Sequence, residues 1–230
     1  MRVEVGKIMK NTVELTNRKL KAPRAGAIAG IIFSTLLMTS LILIRMTVPA
    51  DPQDPGAWLS TGWKKVSVAL HLLPFSGIAF LWFMGVIRDR IGEYEDRFFA
   101  TVFLGSGLLF LAMLFVFSAV AGGMMMLYMT SPDKLIGFGL YRFGRVMIYQ
   151  LLNVYALRMA GVFMISTSTL AIRTGIFPRW IALLGYALAI TLLVSIGYYS
   201  WITLVFPLWV LLISCYVLMV NLKSKPSADI

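Results

Sequence analysis

Negative charge is scarce in this chain: ten Asp and Glu residues stand among 230, and none falls inside the long apolar runs. Charge of both signs together reaches only 13%, against about 25% in a water-soluble domain, which argues against a soluble globular protein. A single cysteine, Cys215, leaves no intramolecular disulfide and no thiolate pair for a metal. A single histidine, His71, leaves no bis-histidine haem. With no carboxylate inside the runs, neither a metal site nor the oriented base of a serine or cysteine hydrolase can be assembled there. No cofactor is expected, haem included, and no motif specifies a reaction.

What the chain has instead is apolar length. A helix rises about 1.5 Å per residue, so about 20 apolar residues cross hydrocarbon about 30 Å thick. Residues 25–44, 66–87, 98–121 and 146–172 each meet that requirement, the third run being ended at Gly122-Gly123 and the fourth interrupted by Arg158. Residues 180–222 hold no Asp, Glu, Lys or Arg over 43 positions, which as one helix would be about 65 Å long, so they must fold back. Gly197-Tyr198-Tyr199-Ser200-Trp201 suits the turn, because glycine breaks the helix and the rings favour an interface, giving spans 180–197 and 201–222. The expectation is an all-α integral membrane helical bundle of six transmembrane helices in one domain, 25–222. A basic segment 1–24 precedes it and a short tail 223–230 follows.

The formal charge of +11 is placed as a topology signal and not as a nucleic-acid footprint. Alternate connections differ: residues 1–24, 88–97, 173–179 and 223–230 collect fourteen Lys and Arg, the opposite connections six. Positive residues stay inside, so both termini are expected in the cytoplasm. Membrane lipids are the expected partners, with anionic headgroups at the cytoplasmic face, and a protein partner or self-association beside them. On the other side, the loop 46–62 carries Pro49, Pro52 and Pro55 and cannot be a continuous helix, while 133–145 interleaves apolar and basic residues as an interfacial segment does.

Arg158 is the residue most in need of a reason. It is 13th of 27 in the run 146–172, about 18 Å from the nearer end, and a charge at mid-bilayer costs about 2.5–3.5 kcal/mol. No acidic residue is available inside a span. Backbone carbonyls at breaks, Gln150, Asn153 or His71, an aromatic face, or an external anion remain as its partners. Gln150, Val154, Arg158, Gly161, Ile165 and Ser168 recur at helical spacing, so one stripe would combine the polar ends Gln150 and Ser168 with Arg158, and Asn153 and His71 would complete a polar intramembrane site. The bland alternative is an interhelical hydrogen-bond hub. His71 stands three residues before Pro74, which frees a carbonyl and kinks its helix. The mixed-charge loop Arg88, Asp89, Arg90, Glu93, Glu95, Asp96 and Arg97 reads as helix-end electrostatics or as a cytoplasmic docking loop.

The stretch from Pro74 to Phe83 followed by Arg88-Asp89-Arg90, and Phe177-Pro178-Arg179-Trp180 opening a span, resemble families of small bacterial multi-pass membrane proteins of unknown function. The resemblance implies a bacterial inner-membrane location and brings no catalytic residues. Three functional readings follow in order: a non-catalytic accessory or scaffold component, a binder or transporter of an anionic or amphipathic small molecule or lipid around Arg158, and a lipid-acting enzyme using His71.

Overall fold

The computed structural model describes residues 2–49, 54, 56–91, 97–137, 139–175, 178–195 and 201–223, with side chains from residue 24 onward except 89–91, 97, 134, 136–137 and 221–223. Among them there is no strand. Helix α1 runs Arg2–Thr47, the short α2 Trp58–Thr61, α3 Trp63–Ile91, α4 Arg97–Thr130, α5 Pro132–Gly137 and α6 Leu140–Tyr149. A π-helical segment, Gln150–Ala156, joins α6 to α7 (Leu157–Thr174) in one continuous rod. Then come α8 (Arg179–Val194), a 3-10 turn Ile202–Leu204 and α9 (Val205–Lys223). Five of the described helical stretches are long and apolar enough to cross a membrane: Arg24–Thr47, Trp63–Arg88, Phe98–Thr130, Leu140–Thr174 and Ile202–Val220. With 16 residues, α8 is a shorter apolar helix.

The expected break after Ala121 does not occur. α4 continues through Gly122-Gly123 to Thr130, because the residues beyond the glycines are packed, Met124 lying against Gly144 of α6. The expected turn at Gly197–Ser200 lies outside the described residues, and Trp201 is a turn residue. Other boundaries follow local chemistry. α7 ends at Gly175, whose φ of 67° suits glycine and whose N–H closes on the Ala171 carbonyl. α8 starts after Pro178 in extended geometry. Pro74 has no N–H for the carbonyl of Leu70 one turn back, and the Ser118 hydroxyl of α4 donates to that carbonyl instead, at 3.4 Å.

Phenylalanines from five helices fill the centre: Phe33 of α1, Phe80 of α3, Phe110 of α4, Phe163 of α7 and Phe206 of α9. Ring centroids are 4.6 Å apart for Phe33–Phe80, 4.8 Å for Phe110–Phe206 and 5.2 Å for Phe80–Phe163. Each favourable aromatic pair adds about 0.5–1.5 kcal/mol beyond area burial. Small residues let the backbones close around this core. Gly26 faces Val86 and Gly30 faces Phe83 of α3 and Ser214 of α9, so both neighbours run antiparallel to α1. Gly161 lies against Ala189 and Leu193, and the Thr169 and Tyr186 hydroxyls bond at 2.7 Å, so α8 folds back antiparallel along α7. Arg24 and the last turn of α9 thus share one end of the bundle, and Arg45 marks the other.

The glycine contacts make a paired prediction. A side chain on Gly30 would press on the Phe83 ring at 2.7 Å, so Gly30→Val should destabilise the detergent-solubilised protein by about 1–3 kcal/mol. Gly122, with nothing within 4 Å, should accept Ala with an unchanged or higher thermal midpoint. Equal responses to the two substitutions would contradict the packing described.

Candidate functional site

At the Arg45 end, the polar side chains gather where α1, α3, α4 and the α6–α7 rod meet. Seven residues of the rod form the π segment, whose wider turn breaks the α-helical register in its middle. Asn153 is buried there. Its Nδ2 donates to the Tyr149 carbonyl at 3.2 Å, and its Oδ1 accepts from Arg45 Nη2 at 3.0 Å. Arg45 occupies the last turn of α1, where the negative end of the helix dipole favours a cation. Arg145, two turns before Asn153 on the rod, donates through Nη2 to the Pro49 carbonyl at 2.7 Å and so fastens the chain leaving α1.

The loop beyond is tied down by a second set of bonds. Trp58 Nε1 donates to the Tyr141 hydroxyl at 3.1 Å, and that hydroxyl lies 3.5 Å from Asp54 Oδ1, which also accepts from Gly56 N at 2.8 Å. Gly56 has φ 92°, and a Cβ there would sit 3.0 Å from the Tyr141 ring. Glycine is required on both counts.

These elements enclose a half-open cleft of about 70 Å³. Arg45, Arg145, Tyr149, Asn153 and Trp58 line its polar part, while Leu41, Val66, Leu70, Phe117 and Leu152 form the apolar walls. A buried water needs about 10–15 Å³ by the same measure, so the space suits about five to seven water-sized groups. Chemically the cleft offers two guanidiniums and hydrogen-bonding groups on an apolar floor. No group of three or more His, Cys, Asp or Glu that could hold a metal occurs among the described residues.

The residues singled out from sequence are dispersed. Arg158 is half-buried and its Nη1 donates to the Val154 carbonyl at 3.1 Å, a backbone acceptor next to Asn153 in the π segment. Side chains on a helix lean toward its N-terminus, and here that direction is the Arg45 end. Arg158 follows Asn153 by five residues, about 8 Å along the axis. Asn153 itself is bonded to Arg45 in the last turn of α1. The expected stripe keeps its α-helical spacing from Arg158 to Ser168 within α7, but its part back to Gln150 crosses the π residues, where that spacing does not hold. Gln150 is exposed, whereas Ser168 is buried with its hydroxyl unpartnered beside Gly185 and Trp209. His71 is exposed on α3, and its Nδ1–H donates to the Ser67 carbonyl at 2.7 Å. Of the mixed-charge loop, residues 92–96 with Glu93, Glu95 and Asp96 lie outside the described residues. Asp89 and Arg90 belong to the last turn of α3, Arg97 opens α4, and Arg88 is exposed.

Sequence reasoning counted Arg45 and Arg145 only as topology charges and did not connect Trp58 with Tyr141. The available signal was an arginine closing one apolar run facing another that opens the fourth. If the Arg45–Asn153 bond holds α1 to the rod, Asn153→Leu should lower unfolding free energy in detergent by about 1.5–3 kcal/mol. A double-mutant cycle with Arg45→Leu should show coupling, and strict additivity would remove the bond from the account. The chain matches no protein family, no curated protein and no solved structure.

Proposed function

We propose that this is a multi-pass membrane protein that binds the anionic head of an amphipathic molecule in the cleft at its Arg45 end. The observation that carries the reading is the convergence of Arg45 and Arg145 on one half-open cleft with apolar walls. Guanidiniums match phosphate and carboxylate oxygens bidentately, and a pair of them suits a phosphate better than a single carboxylate.

The bilayer setting is supported by spacing. Arg24 and Arg45 are 21 residues apart on α1, about 31 Å, close to the hydrocarbon thickness of about 30 Å. Headgroups would then lie level with the cleft mouth, and Arg158 would snorkel toward them instead of standing at mid-bilayer. α8, about 24 Å long, returns the chain along α7 and makes the fifth of six crossings, with α9 the sixth, which agrees with α1 and α9 running antiparallel. The Lys and Arg bias assigns the Arg24 end to the cytoplasm and the cleft to the outer face of a bacterial inner membrane.

The test is ligand-induced thermal stabilisation in a neutral detergent, with dodecyl phosphate as the probe. At 100-fold its Kd a bound probe stabilises by about 2.7 kcal/mol. Arg45→Leu and Arg145→Leu should each abolish that response while preserving insertion; an unchanged response in both would reject the cleft.

The accessory or scaffold reading has one observation of its own, the exposed apolar ridge Leu140, Phe143 and Val146 on α6, which extends past the level of Asn153. A photo-crosslinker placed at Phe143 should capture a protein partner or a second copy in membranes if that reading holds. Crosslinks to lipid alone would count against it.

A further inference from the structure

Below the cleft lies a second, smaller void of about 10 Å³, lined by Leu37, Phe110, Leu114, Ala156, Thr203 and Phe206 among others. Leu41 of α1 and Leu152 of the π segment line both spaces. They stand as the partition between a polar mouth and the aromatic centre of the bundle. We infer that the ligand's hydrocarbon tail passes inward between α1, α4, the π segment and α9, and that Leu41 and Leu152 set the chain length accepted.

This rests on the reading of the cleft as an anion site and adds where the rest of the molecule goes. Water does not compete for the inner void. It is about the size of one water, but a buried water needs two to four polar partners. Among the side chains lining this void only Thr203 is polar, and its buried Oγ1 has no hydrogen-bond partner. The lining therefore favours a methylene or methyl group over water. It is also close to the cleft: Leu37 is eight residues from Arg45 on α1, about 12 Å along the axis. A chain held at its head by Arg45 and Arg145 and descending past Leu41 reaches it without leaving the bundle. The alternative path, sideways into lipid, imposes no limit on chain length.

The two paths give different binding profiles for a series of n-alkyl phosphates from butyl to hexadecyl, read by thermal stabilisation of the full chain in neutral detergent. An inward path gives affinity that rises about fourfold per methylene and then stops at a fixed length. Leu152→Ala, which joins the two spaces, should move that stop outward by about three carbons, as many as the side chain loses. Leu41→Phe, which narrows the partition, should move it to shorter chains and serves if Leu152→Ala does not fold. A wild-type profile that rises without a stop, or a stop unmoved by both substitutions, overturns the inward path while leaving the anion site standing. If no alkyl phosphate stabilises the wild-type protein, the anion site falls and the inward path with it.

Discussion

A guanidinium cannot be left among hydrocarbon side chains without acceptors for its donors, and that constraint organises one whole end of this molecule. Arg45, Arg145 and Arg158 are each given a neutral oxygen from an adjoining element: the side chain of Asn153, the carbonyl of Pro49 and the carbonyl of Val154. Two of these acceptors belong to the π segment, where departure from α-helical spacing turns Asn153 toward α1. A charge bound by a neutral group keeps its charge, and Arg45 beside the Asn153 amide is the clearest case at this end of the bundle. That combination favours an anion arriving from outside the chain.

The rest of the fold supplies a rigid frame for this arrangement. One phenylalanine from each of five helices meets at the centre, and glycines at Gly26, Gly30 and Gly161 bring the backbones near enough to hold them. Toward the Arg24 end, Arg173 lies over the Phe99 ring at 4.5 Å. The Arg45 end is built differently, from a π segment, a proline-rich loop pinned through Trp58, Tyr141 and Asp54, and a cleft. Close packing below and an open, polar mouth above is the usual division between scaffold and binding site.

Much of the scaffold was legible in the sequence because burial and length leave direct traces. Four of the apolar runs reappear within long helices, and the carbonyl released by Pro74 is found with Ser118 as its new donor. The site was less legible. A π segment has no compositional signature, so a register drawn from α-helical spacing misplaced Gln150 relative to Arg158. Gly122-Gly123 looked like a terminus, but packing beyond it carries α4 onward. Arg45 was read for its sign alone, since its partner lies 108 residues away in the chain.

The most direct measurement is a structure determined in lipid bilayers containing anionic phospholipid, with attention to the space between Arg45 and Arg145. The account predicts phosphate density within hydrogen-bonding reach of both guanidiniums and level with the headgroup plane. A cleft without anionic density, lying well inside the hydrocarbon or far beyond the headgroups, would contradict it.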